Sequence, residues 1–222
     1  MDSSRQEWEP MHEHVSLAQP LELNRWRIEH VRNFIYKPDA SPVYRWSTYD
    51  IDTMKITGAY FYVLPLGQFG KTHGKLFAHT CLGFSFEDGT NLLYSIEARQ
   101  KIGEEYRPDT QTENVRMFAT LDYFLGFRHM VRKRGFFRYP ITLPQDTLVC
   151  LLRACLEDAH RAYERPDRYH PIKNHCTTAL IAVMNRVLEH TIPWHPYWHL
   201  TRFTHHLLAK RAIIDMSKKE IL

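Results

Sequence analysis

The sequence predicts an α+β fold, and three observations predict it. Strand-forming runs fill the middle of the chain, at residues 56–64, 78–86 and 91–98. Helical periodicity dominates the last third, at 148–163 and 177–189. Asp88-Gly89 between two apolar runs signals a hairpin, so strands precede helices rather than alternate with them. The chain has 222 residues and 44% hydrophobic content, which suits one domain with a sizeable core. The polar residues 1–21, with Pro10 and Pro20, are expected to form a flexible lead-in to a single domain over 22–222.

The elements follow in order. Residues 26–36 are rich in β-branched and aromatic side chains and predict a strand, although Ile28, Val31 and Phe34 alternate imperfectly. Residues 38–42, with Pro38 and Pro42, predict a turn. The run 56–64 is a clear strand. Residues 67–75 carry three glycines and predict a loop, with the wrong spacing for a phosphate-cradling motif. Strands 78–86 and 91–98 flank the turn 87–90. Residues 103–114 predict a polar loop, and 115–127 are mixed. In 148–163, Leu148, Leu151, Leu152, Cys155, Leu156 and Ala159 keep helical spacing, with Pro144 just before the start. Residues 177–189 predict a second helix and 200–212 a third.

Bulk properties exclude several functions. A net charge of +4 is too small to argue for nucleic acid. The basic run Arg132-Lys133-Arg134, after Arg128 and His129, is expected to be a solvated face. The four cysteines form no Cys-x-x-Cys pair, and Cys150 and Cys155 are expected to be buried in a helix. No apolar run approaches the ~20 residues of a membrane span, and the first residues lack the apolar core of a signal peptide. His195 and His199 have the spacing of helical zinc ligands, but Pro193 and Pro196 break the helix this would need. Neither a metal nor a cofactor is expected. Asp146, Glu157, Asp158 and Glu164 are expected to be solvated helix charges.

The chemistry centres on Asn174-His175-Cys176-Thr177-Thr178, which runs into the apolar helix. Unpaired N–H groups and the helix dipole favour negative charge at a helix start, so a cysteine there tends toward thiolate. Asn174, Thr177 or Thr178 can cap that helix. His79 lies on a strand far upstream and can serve as the base. The facing strand offers Ser95, Glu97 and Arg99 on one face, and Glu97 is the best group to orient the ring. Glu97 shares the face of His79 only if the hairpin loop has three residues; a two-residue loop separates them.

An ordered set of segments carries a resemblance: Arg32-Asn33-Phe34-Ile35-Tyr36, Ala78-His79-Thr80, Ser95-Ile96-Glu97-Ala98-Arg99 with Gly103-Glu104-Glu105-Tyr106, and Asn174-His175-Cys176-Thr177-Thr178. Together, over residues 22–215, they resemble the N-terminal periplasmic domain family of Lnb, a bacterial lipoprotein N-acyltransferase. The order of histidine strand before cysteine helix also resembles a circularly permuted papain-like (NlpC-type) fold, as in lecithin–retinol acyltransferase. The resemblance implies a thiol acyltransferase at the periplasmic surface of the inner membrane. Cys176 would take an acyl chain from a phospholipid, with His79 as base and acid and Glu97 orienting it. The chain would pass to an amine, such as that of a lipoprotein. Asn174, Thr177, Arg99, Asn33 and Tyr36 would contribute to the substrate site. His175 departs from the family, which more often has asparagine there. The alternatives are a thiol amidase or peptidase of the same fold and a binding module without turnover.

Overall fold

A computed structural model describes residues 8–38, 40–66, 75–104, 112–133 and 135–222. Most of the 67–75 loop, the greater part of the 103–114 loop, and Arg134 lie outside the described residues. The described chain is α+β, built on one large, mostly antiparallel sheet. Its strands are β1 (Leu17–Pro20), β2 (Arg25–Arg32), β3 (Trp46–Asp52), β4 (Ile56–Pro65), β5 (Ala78–Phe86), β6 (Asn91–Ala98), β7 (Glu113–Thr120), β8 (Phe137–Pro140), β9 (Asp167–Arg168) and β10 (Glu220–Ile221). The spatial order is β1-β2-β7-β6-β5-β4-β8-β10, with β3 beside β2 and β9 beside β7. The β2–β7 contact is parallel, through Arg32 and Ala119. The helices are α1 (Leu121–Gly126), α2 (Gln145–Glu164), α3 (Cys176–Asn185) and α4 (Thr204–Lys210).

Both faces of the sheet are covered. Leu82, Phe84, Leu92, Tyr94 and Phe118 pack with the apolar sides of α2 and α3. On the opposite face Tyr62, Leu64, Cys81, Leu93 and Ala119 pack with Tyr123 and Phe124 of α1. A strand covered on both faces loses the apolar–polar alternation that identifies strands in sequence. This is why β7, buried along Val115–Thr120, is not legible as a strand. Thr120 ends it and starts α1, its Oγ1 accepting from Tyr123 N–H at 3.2 Å.

The expected strand at 26–36 is interrupted by a bulge. The β2–β3 register shifts between Ile28 and Val31, and His30 between them has φ +56°. The extra residue puts Ile28 and Val31 both in the core despite their spacing of three. The expected lead-in is tied to the sheet from Trp8 onward: Trp8 bridges Lys101, Pro10–His12 forms a 3₁₀ turn, and β1 pairs with β2.

Helix α2 follows Pro144, as its pattern predicts, and buries the six expected side chains. Two corrections follow from the faces it presents. Cys150 points to solvent, whereas Cys155 is buried. Asp158 is not a solvated charge: it is buried, accepting from Tyr94 Oη at 2.6 Å and from Arg116 Nε at 2.8 Å. Helix α3 ends before 189 because Asn185 holds both backbone groups of Ile192, accepting from its N–H at 2.7 Å and donating to its carbonyl at 3.2 Å. Arg132 and Lys133 of the basic run are exposed, as expected, whereas Arg128 before it is buried and donates to the carbonyl of Pro65 at 3.0 Å.

Candidate active site

The hairpin decides the site. Phe86 N–H donates to the Thr90 carbonyl at 3.0 Å, leaving Glu87, Asp88 and Gly89 as a three-residue loop. Gly89 has φ +83°, the left-handed conformation that closes such a loop and that glycine adopts without penalty. In this register Cys81 faces Ser95. His79 and Glu97 lie one step further along the same face.

A directed chain of hydrogen bonds follows. Ser95, fully buried, donates from Oγ to Glu97 Oε1 at 2.7 Å. A hydroxyl has one proton, so Ser95 Oγ must accept from His79 Nε2, 2.7 Å away. The proton of a neutral His79 is therefore on Nε2, and Nδ1 keeps a lone pair. Glu97 Oε2 accepts from Arg32 Nη1 at 2.8 Å and lies 3.2 Å from His12 Nε2. His12 Nδ1 accepts from Gln100 N–H at 3.0 Å, so Nε2 carries the His12 proton and donates to Glu97. Burial holds the His12 pKa below its ordinary value, against the pull of the Glu97 hydrogen bond. Burial opposes ionisation of Glu97, but Arg32 and His12 outweigh it and hold this carboxyl well below the usual range.

Helix α3 brings the thiol. Thr178 Oγ1 accepts from His175 N–H at 2.9 Å and fixes the first turn. Thr177, fully buried, meets Thr80 with their Oγ1 atoms 2.9 Å apart. Consecutive strand residues 79 and 80 thus engage consecutive helix residues 176 and 177. Thr201 pins the start of the strand, its Oγ1 accepting from Ala78 N–H at 2.7 Å and donating to Ala78 carbonyl at 2.6 Å. Cys176 itself is partly exposed. Burial disfavours its thiolate, but hydrogen bonds from His175 and His79 and their charges outweigh it, holding the thiol well below its ordinary pKa. Burial likewise disfavours a charged His79, but Cys176 and Glu97 raise its pKa. The two shifts together favour a thiolate–imidazolium pair. Cys81 is the opposite case: fully buried, its thiol is pushed well up.

The remaining predicted site residues are placed as follows. Asn174 donates to the carbonyl of Arg168 at 2.9 Å and pairs with His170, bracing the loop before α3. Arg99 binds Glu113 at 2.9 Å and the carbonyl of His12 at 3.1 Å, with Trp8 stacked 4.0 Å from its guanidinium. It holds the segment that supplies His12. Asn33 bridges Ser47 and Thr120, both at 3.3 Å. Tyr36 is half-buried against Tyr123 and Phe127. Cys176, His79, Glu97 and Thr177 are therefore gathered directly, and Arg99 through His12. Asn33 and Tyr36 are not gathered with them: Asn33 lies against Ser47 and Thr120, and Tyr36 against Tyr123 and Phe127. Three members of the network have no assigned role from sequence: Ser95, Arg32 and His12. Ser95 and Arg32 lie in motif segments, whereas His12 sits in the polar lead-in with no signal of its own.

An open cleft of about 620 Å³ lies along α3, lined by Arg116, Asp158, Arg161, Asp167, Asn174 and Arg186 among others. Neither Cys176 nor His79 lines it. Its charges are mutually paired, with Arg116 2.7 Å from Asp167 and Arg161 2.6 Å from Asp158.

The family model of the Lnb N-terminal periplasmic domain matches residues 43–209, three-quarters of the chain. The chain belongs to this family, and the domain is periplasmic. No curated protein and no solved structure matches it. The match spans Cys176, His79, Ser95 and Glu97 and begins after His12 and Arg32. Among the described residues, no helix is long and apolar enough to cross a membrane.

Proposed function

We propose that this domain is a cysteine acyltransferase that carries an acyl chain from a phospholipid to an amine, through a thioester on Cys176. The observation that carries this reading is the fixed direction of His79. Its Nε2–H is committed to Ser95 and the ionised Glu97, so Nδ1 is the nitrogen that exchanges a proton with the thiol. The thiolate attacks the ester carbonyl, forming a C–S bond. The oxyanion forms at the N-terminus of α3, where the backbone N–H groups and the dipole favour negative charge. The C–O bond breaks, and the leaving alcohol takes the proton from His79 Nδ1. An amine then attacks the thioester, the C–S bond breaks, and His79 takes the proton that the amine loses. The chain order of histidine strand and cysteine helix supports a permuted papain-like arrangement, and the family supports work at the inner-membrane surface with a lipoprotein as acceptor.

Intact-mass analysis after incubation with phospholipid vesicles tests the proposal. One acyl chain is expected on Cys176 and none on a Cys176→Ser variant. No adduct, in protein whose Cys176 still alkylates rapidly, overturns it. An adduct that passes only to water identifies the amidase-like alternative.

A further inference from the structure

The end of the sheet that holds His79 also carries an exposed patch of mixed character. Helix α1 runs on into one π-helical turn, Phe127–Val131. Arg128 is buried in that turn and donates to the carbonyl of Pro65 at 3.0 Å. Pro65 pairs with Ala78 across the β4–β5 ladder, and Leu64 pairs with His79. The turn is therefore anchored one ladder step from His79. Cys81, two residues on from His79, packs on the face that α1 covers, so the turn and His79 lie on one side of the sheet.

Past the anchor, every residue from His129 to Lys133 is exposed. Met130 and Val131 are apolar, and Arg132 and Lys133 are cationic. Leu66 and Leu76 are exposed beside the same strand ends. Leu66 N–H donates to the Phe77 carbonyl at 3.2 Å, one step beyond the Pro65–Ala78 pair. Lys75, next to Leu76, is exposed as well. Among the described residues, no ion pair involves Lys75, Arg132 or Lys133. Arg132 stacks over the Phe127 ring, 5.2 Å from its centroid, a contact that uses no N–H donor. Single exposed apolar side chains are ordinary, but a group of them beside a site marks an interaction surface. Cations set among apolar tips match a bilayer, where the tips reach the acyl layer and the charges stay at the phosphates.

We propose that this patch docks the domain on an anionic phospholipid surface, with Met130, Val131, Leu66 and Leu76 in the interface and the three cations on the phosphates. The choice of a bilayer over an acidic protein rests on the acyl-donor reading above; the patch itself does not. Docking at this end sets His79 toward the membrane, which gives a lipid ester a short path from the headgroup boundary to the thiol.

The test measures partition of the full chain onto vesicles by co-sedimentation, with phosphatidylglycerol mixed into phosphatidylcholine. The double variant Arg132→Gln, Lys133→Gln is expected to bind about thirtyfold more weakly, since each cation near an anionic surface is worth about fivefold. In high salt the parent should fall toward that variant. The double variant Met130→Ser, Val131→Ser is expected to bind about tenfold more weakly at low and high salt alike. Iodoacetamide alkylation of Cys176 at the parent rate shows that each variant keeps the site. The exposed pair Lys210 and Arg211 is the control: the neighbouring Ala212 carbonyl accepts from Thr142, beyond Ile141, whose N–H donates to Ala59 toward the far end of β4. Lys210→Gln, Arg211→Gln should bind as the parent does. An equal loss in this control, or binding that neither patch variant weakens, overturns the inference. A parent that ignores the anionic vesicles also overturns it and makes an acidic protein the fitting partner. Docking without a phospholipid adduct on Cys176 rejects the proposed donor and upholds the docking face. An adduct that forms equally fast in both patch variants rejects the face and upholds the reaction.

Discussion

Ser95→Ala isolates the link on which the site depends. Ser95 is fully buried, and its hydroxyl is the connection between His79 and Glu97 at 2.7 Å on each side. Removing the hydroxyl leaves His79 Nε2–H without its acceptor while the strands stay paired. A hydrogen bond to a charged group is worth about 1.5–3 kcal/mol. His79 is partly exposed, so solvent recovers part of this, and the lower end is the working figure. About 1.5 kcal/mol corresponds to roughly one pH unit. The lost acceptor disfavours imidazolium, so the His79 pKa falls. The thiolate then loses part of its counter-charge, so the Cys176 pKa rises. The assay is the iodoacetamide alkylation rate against pH, followed by peptide mass in a Cys150→Ser background. That background removes the exposed thiol, and Cys81 and Cys155 are buried. The acid limb of the Cys176 profile is expected to move up by about one unit, with alkylation below it about tenfold slower. A profile that superimposes on the parent refutes the relay, and Glu97 then acts on His79 without Ser95.

Three further outcomes follow from the same network and its frame. Arg32→Met leaves Glu97 without its main counter-charge and is expected to cost about 3 kcal/mol in urea unfolding. The double variant Arg32→Met, Glu97→Gln should recover part of that loss, and an equal or greater loss argues against the pairing. Asp158→Asn leaves the buried Arg116 with Asp167 as its remaining charge partner and is expected to cost about 1.5–3 kcal/mol at pH 7. Burial opposes the Asp158 carboxylate, but Arg116 and its other donors hold its pKa below the ordinary value. Its stabilisation is therefore complete above about pH 4 and is lost as the pH falls through the depressed value, so the gap between parent and variant should close in acid; a constant gap contradicts the assignment. Gly89→Ala forces a side chain into φ +83° and should cost about 1–2 kcal/mol, read as a lower melting temperature. An unchanged melting temperature would mean that the loop relaxes into another turn.

Much of the site was legible from residue types alone. Cys176 before an apolar run is a helix-start thiol in any fold that forms the helix, because the run from Ala179 to Met184 buries and Thr178 caps it. The late helices were visible for the same reason: a 3.6-residue period survives when one face is buried. The strands were visible only where turns bounded them. β7 escaped because burial on both faces erases alternation, and β2 was blurred because a bulge at His30 shifts its phase.

Sequence by itself determined the reacting types, their order and the hairpin at Asp88-Gly89. It could not choose between a two-residue and a three-residue loop, since both faces of the flanking strands are buried and no apolar–polar alternation pins the register. Only the folded sheet makes that choice, and with it puts Ser95 rather than Glu97 against the histidine ring. Only tertiary contacts bring Arg32 and His12 to the same carboxylate, from separate segments far along the chain. Such long-range charge pairing leaves no periodic trace, because it depends on how strands are ordered in space and not on what stands next to each residue.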